Sequence, residues 1–167
     1  MGVSSEQRPV VLVVDDTQIN LTLMEKILGA DCTVQSARSA QEALDYAFAT
    51  PPDLILLDVM MPEMDGFEVC RRLKANPATS HVPVIFITAK NEIKDEELGF
   101  SVGGSDFIHK PISAPIVIAR VKTHLKVKFM QDYLMRENAR LQEHADQHIS
   151  ELKQLKGLLW GNPFARG

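Results

Sequence analysis

Five polar residues stand where apolar runs end. Asp15 and Asp16 close the run VVLVV, Asp58 closes LILL, Thr88 closes VIFI, and Lys110 follows DFIH. Carboxylates drawn into one crevice repel one another and raise each other's pKa values unless a cation neutralises them. Oxygen donors with no neighbouring His or Cys select a hard divalent ion, Mg²⁺ with Mn²⁺ as the alternative, over zinc. The ammonium of Lys110 and the hydroxyl of Thr88 complement such a set, because a metal and a lysine can share the charge of a phosphoryl group. One carboxylate is then the nucleophile.

The elements that must bring these residues together are legible from the apolar pattern. Residues 9–15 are a continuous β-branched run, the pattern of a strand buried on both faces of a parallel sheet. Ile19, Leu23, Ile27 and Leu28 follow at helical spacing, with Asp16 or Thr17 as cap and Gly29 at the end. A short strand from Cys32 to Ser36 precedes a helix from Ser39 to Ala49, whose Ala43, Leu44, Ala47 and Phe48 share a face. Asp53 to Asp58 is the next strand, and after VMMPEMDG a helix turns Phe67, Cys70 and Leu73 inward. Val82 to Thr88, a weaker helix around Lys94 to Phe100, a strand from Ser105 to Ile108 and a helix starting near Ser113 complete the series. Alternating strands and helices of this length predict a doubly wound α/β domain with a five-stranded parallel sheet. Ligands of such sheets bind beyond the carboxyl ends of the strands, where the five polar residues fall.

VVDD at 13–16, DVMMPEMDGFEVCRRLK at 58–74, VIFITA at 84–89 and DFIHKPI at 106–112 together resemble the receiver domain of a bacterial two-component response regulator. The resemblance implies a flavodoxin-like receiver in which Asp58 accepts phosphate from a histidine kinase or phosphotransfer protein. It also implies that Asp16 binds Mg²⁺ directly, that Asp15 assists through water and that the Met60 carbonyl completes the ligands. Thr88 would bond the phosphoryl oxygen, Ala89 would leave room for it, Lys110 would form the ion pair, and Phe107 matches a switch aromatic that is often Tyr in the family. Taken singly, an Asp after a strand is a helix cap, a Thr is a strand former, a Lys before Pro is solvated and Phe107 is a strand residue. Their joint placement at strand ends outweighs these separate explanations. Pro62 and Gly66 are turn residues that also shape the loop presenting Asp58, and His109 is expected at the surface.

Other chemistries fit less well. A Mg²⁺-dependent aspartyl phosphatase resembles a D-x-D pattern, but Met60 stands two residues beyond Asp58. A dinucleotide site needs Gly-x-Gly-x-x-Gly after the first strand, and here the segment is DDTQIN. A scaffold that has lost its acceptor site is disfavoured because no site residue is missing. The side chains of Met60 and Lys90 flank the path of an attacking water, and a bulky thioether there predicts slow loss of phosphate.

In the 167 residues, 18 Lys and Arg stand against 22 Asp and Glu, a net charge of −4 that lacks the footprint of a nucleic-acid binder. Cys32 and Cys70 lie outside any C-x-x-C pair, so buried thiols in a reducing cytoplasm are expected. No apolar run approaches the length of a membrane span, and Glu6 departs from the myristoylation pattern that Gly2 would begin.

The last receiver helix, with Val117, Val121 and Leu125 packed inward, is not expected to stop at the domain edge. From His124 to Lys156 no Gly or Pro intervenes, and Val127, Leu134, Leu141, His148 and Leu155 recur every seventh residue. Placing that series at a would bury Glu137, His144 and Glu151 at d. Placing it at d puts Gln131, Asn138, Ala145, Leu152 and Leu159 at a, and we adopt this register. The seam then favours a parallel homodimer whose helix reaches about 70 Å at 1.5 Å per residue. A solvated single helix or a partly ordered linker is the alternative. The expected layout is a tail at 1–8, a receiver at 9–126, a coiled-coil helix at 127–160 ended by Gly157, Gly161, Asn162 and Pro163, and a tail or cloning remnant at 161–167. Output would pass to a further domain that this chain lacks, or to a partner through Leu158, Leu159 and Trp160.

Overall fold

The computed structural model describes residues 8–89 and 93–161. Strands Val10–Val14 (β1), Thr33–Ala37 (β2), Leu54–Asp58 (β3), Val84–Thr88 (β4) and Asp106–His109 (β5) alternate with helices Gln18–Leu28 (α1), Ala40–Ala49 (α2), Gly66–Ala75 (α3), Ile93–Ser101 (α4) and Ala114–Leu159 (α5). All strand pairs are parallel and the order is β2-β1-β3-β4-β5. This is the expected doubly wound sheet in its flavodoxin-like order.

Side chains alternate across each strand, so the sheet carries a core on each face. Leu12, Val14, Ile55, Leu57 and Phe86 meet α2 and α3, with Phe67, Cys70 and Leu73 inward as expected. Val11, Val13, Leu54, Leu56, Ile85 and Ile108 meet α1 and the start of α5 through Val117, Val121 and Leu125. Both cysteines are buried and free, and burial pushes the Cys70 thiol up to about 11.

Several local expectations are corrected. The inner face of α1 is Leu21, Met24 and Leu28, while Ile19 is 77% exposed and Leu23 also lies in solvent. Of the expected set Leu28 is buried and Ile27 packs partly against the core, whereas Ile19 and Leu23 fall too far around the helix to reach it. Phe48 is likewise partly exposed at the end of α2. Thr17 is the N-cap of α1 but makes no side-chain cap, and Ser39 caps α2 by accepting from the Glu42 amide. β4 starts at Val84 and not at Val82, because Pro83 offers no N–H to a ladder. Gly157 lies inside α5, which runs to Leu159. Asn162 and Pro163 lie outside the described residues.

The chain packs as two units, one ending at Lys128 and the other beginning at Phe129. Within the first, Lys128 is only 8% exposed and its Nζ lies 3.3 Å from Asp53, whose other oxygen accepts the Val10 amide at 2.8 Å. Arg120 and His124 hold Asp106 at 2.7 and 3.0 Å. These pairs tie α5 to the amino-terminal edges of β1, β3 and β5, opposite the strand ends that carry the polar residues. Among the described residues the second unit is the continuation of α5 and the two residues after it, with Leu134, Leu141, Leu152 and Leu155 exposed.

Candidate functional site

Strand order reverses direction between β1 and β3, and the crevice at such a switch point is where these sheets take ligands. Asp58 is the last residue of β3, and Asp15 and Asp16 follow β1 directly. Each of Asp15, Asp16 and Asp58 offers a carboxylate oxygen within 4.8 Å of the others. Asp15 and Asp58 are each 3% exposed, and Asp16 is half-buried.

Local backbone contacts explain why the residues converge. The Asp15 amide donates to Ala37 at 3.1 Å, and the Val59 amide to Ile87 at 3.1 Å, which holds the start of the β3–α3 loop against β4. That loop folds back tightly: the Gly66 amide donates to the Val59 carbonyl at 3.0 Å, and a Cβ on Gly66 would stand 2.4 Å from the Asp58 carbonyl oxygen. Gly66 is therefore required by a close approach to the very residue it helps present. Across the sheet, the Lys110 amide donates to the Thr88 carbonyl at 2.9 Å, so the ends of β4 and β5 are fixed side by side.

The charges are arranged around Asp58. Its Oδ1 accepts the Met60 amide at 3.3 Å and faces Lys110 Nζ at 3.5 Å. Lys110 Nζ also lies 3.9 Å from Asp15 Oδ2. Burial, and then the neighbouring Asp15 carboxylate, raise the Asp58 carboxyl above the ordinary range, and Lys110 and the Met60 amide offset only part of this. One ammonium among three carboxylates leaves negative charge that a divalent cation can neutralise. All the clustered donors are oxygens, so the residues fit Mg²⁺. When bound, Mg²⁺ would supply charge neutralisation for a phosphoryl group. Thr88 is buried at the end of β4, Ala89 is exposed beyond it, and the Met60 side chain stands in solvent at the rim. Lys90 lies outside the described residues.

Phe107 is buried and points inward, its ring centroid 5.2 Å from Phe86 and 5.3 Å from Phe100. A Cβ on Gly99 would meet the Phe107 ring at 2.2 Å, so this glycine of α4 makes the inward position possible. His109 is exposed as expected and lies 3.0 Å from Glu96. Sequence reasoning missed Gly99, and it missed Asn20, whose Nδ2 donates to Asp15 Oδ2 at 2.9 Å. The available signal was an amide side chain in the first turn of the helix that follows Asp15.

Residues 11–122 match the family model of the response regulator receiver domain. The chain belongs to the response regulator receiver family. Response regulator PleD of Caulobacter vibrioides is 45% identical over 130 residues, 77% of this chain and 29% of that protein. A probable cyclic di-GMP phosphodiesterase of Vibrio cholerae is 40% identical over 146 residues, 87% of this chain and 33% of that protein. The chain thus spans about a third of the length of these relatives. A putative response regulator from Chloroflexus aurantiacus, solved by crystallography, is 33% identical with a TM-score of 0.68, covering 71% of this chain and 98% of its own. The receiver's matched segment contains every polar strand-end residue discussed above.

Proposed function

We propose that this receiver takes a phosphoryl group from a histidine kinase or phosphotransfer protein onto Asp58, and that the phosphorylated state acts through a dimerising α5 on an output domain or partner. The observation that carries the reading is the cluster of Asp15, Asp16 and Asp58 with Lys110 Nζ 3.5 Å from Asp58 Oδ1. An Asp58 carboxylate oxygen forms the new O–P bond as the donor's N–P bond breaks, and the released imidazole takes up a proton. Asp15, Asp16 and Asp58 would hold Mg²⁺ together with the Met60 carbonyl. Lys110 balances the charge gained, Thr88 receives a phosphoryl oxygen, and Phe107 responds to the movement of Thr88. Hydrolysis of the acyl phosphate resets the domain. The only chemistry expected is phosphorylation and dephosphorylation of the chain itself.

A cytoplasmic setting suits a kinase partner, and among the described residues no helix is long and apolar enough to cross a membrane. With a net charge of −4, direct nucleic-acid binding by this segment is not part of the reading. Incubation with acetyl phosphate should add one phosphoryl group by intact mass when Mg²⁺ is present and none when it is chelated. Full labelling of Asp58→Ala would overturn the assignment.

A further inference from the structure

We propose that Asn20 is a positioning residue of the acidic site, which fixes the Asp15 carboxylate toward the cation and leaves Lys110 to Asp58. The inference rests on reading Asp15, Asp16 and Asp58 as the Mg²⁺ site and Asp58 as the acceptor. Asp15 is almost wholly buried, and an ionised carboxylate can only accept hydrogen bonds, so its oxygens need donors from the protein. Two are present. The Thr17 amide donates to Oδ1 at 2.8 Å, and Asn20 Nδ2 donates to Oδ2 at 2.9 Å. Thr17 is the N-cap of α1 and Asn20 lies in its first turn, so the start of the helix locks the carboxylate's orientation.

The choice of an amide matters. Asn20 satisfies an anion without bringing positive charge, so it does not compete with a divalent cation for Asp15, as a Lys or Arg at this position would. It also occupies Oδ2, the oxygen that lies 3.9 Å from Lys110 Nζ. That separation is too long for a hydrogen bond, whereas Lys110 stands at 3.5 Å from Asp58 Oδ1. Removing the Asn20 donor frees Oδ2, and the nearest replacement is Lys110. The lysine would then move from the acceptor toward Asp15, adding positive charge beside the carboxylates that would hold the cation. One neutral side chain therefore governs both the orientation of the Asp15 carboxylate toward the cation site and the acceptor's ion pair.

Mg²⁺ binding to the full chain, followed by calorimetry, tests this with Asn20→Leu, which keeps the volume and removes the donor, and Asn20→Gln, which retains it. Asn20→Leu should weaken Mg²⁺ binding roughly tenfold, the lower end for loss of a partner that orients a metal ligand. Asn20→Gln should recover most of that affinity, and the Mg²⁺ needed for half-maximal labelling by acetyl phosphate should rise in parallel in Asn20→Leu alone. A merely structural Asn20 would lower the thermal midpoint of both variants and leave the Mg²⁺ affinity at its wild-type value, and that result overturns the proposal. So does a wild-type chain that binds no Mg²⁺. The binding measurement involves no phosphoryl transfer, so a chain that loses Mg²⁺ affinity in Asn20→Leu yet never labels at Asp58 would refute the acceptor reading and leave the role of Asn20 standing.

Discussion

Asp58 is buried beside the Asp15 carboxylate, and this sets the pH dependence of stability that the site contributes. The Asp58 carboxyl is raised by desolvation first and by Asp15 second. A carboxyl whose folded pKa lies above its unfolded value binds its proton more readily in the folded chain, so stability falls as pH rises from the unfolded value through the folded one. The penalty is complete above the folded pKa and absent below the unfolded one. Asp58→Asn should therefore raise the midpoint of chemical denaturation at neutral pH without divalent ions, and the gain should vanish in acid. An equal gain at every pH would assign it to packing. Mg²⁺ at a hundred times its dissociation constant should add about 2.7 kcal/mol to the wild type, and much less to Asp58→Asn. A second prediction concerns the rim. The Met60 side chain is 57% exposed two residues beyond Asp58, and a thioether there obstructs an incoming water more than a small amide. Met60→Asn should hasten decay of the phosphoprotein severalfold, and equal or slower decay would argue against obstruction.

At the scale of elements, the inward Phe107 depends on α4 coming close, which only the absence of a side chain at Gly99 permits. Gly99→Ala should displace the ring or the helix and cost about 1–3 kcal/mol, the usual price of overpacking a filled core. A denaturation midpoint unchanged from wild type would show that α4 yields freely. The other face of interest is on α1, where Ile19 and Leu23 line an open groove with Gln18, Thr22 and Lys26. Its neighbour Asn20 donates to Asp15, so the groove sits on the same helix that holds the acidic site, and it is a candidate contact for a protein phosphodonor. Ile19→Asp should slow phosphoryl transfer from a phosphotransfer protein at least tenfold while leaving labelling by acetyl phosphate unchanged, since steric and charge mismatch at a contact commonly costs more than 1.4 kcal/mol. Loss of both rates together would place the defect in the fold. The same helix shows how far sequence carries. β1, β3 and β4 were legible because strands buried on both faces are continuously apolar, and the polar residues at their ends located the site. The inner face of α1 was only half legible: Leu28 and Ile27 do reach the core, but Ile19 and Leu23 look like core residues by type and only packing against the sheet shows that Leu21 and Met24 take the inner places. Gly99 and Asn20 were hidden for a related reason: one matters through a ring on another element and the other through a carboxylate held in place by tertiary structure.

For the whole molecule, the second unit poses the question of what covers its apolar residues. Leu141 is 57% and Leu152 65% exposed along the part of α5 that belongs to the second unit. An isolated helix in water gains little from propensity alone, and its stability ordinarily comes from burying an apolar stripe. A second copy in parallel register would cover Leu134, Leu141, Leu152 and Leu155 at once, and would set each Asn138 opposite its twin, an arrangement that favours two strands. Glu151 would then face Lys156 of the partner, in competition with the contact it makes at 4.0 Å to His148 of its own chain. Gln131, Ala145 and His148 add little apolar area, so the pairing should be weak enough for contacts between receivers to shift it. Phosphorylation at Asp58 would act on that equilibrium as a change of population. Asn138→Leu should strengthen association and relax the preference for two chains, because a polar a-position residue holds register at a cost in stability. Leu141→Lys should weaken association more than tenfold, since it replaces a buried contact by facing like charges, each change on the order of 1 kcal/mol or more. Sedimentation with and without acetyl phosphate decides the matter. A chain that stays monomeric at high concentration in both states, and is indifferent to Leu141→Lys, would make α5 a tether that carries no signal by pairing.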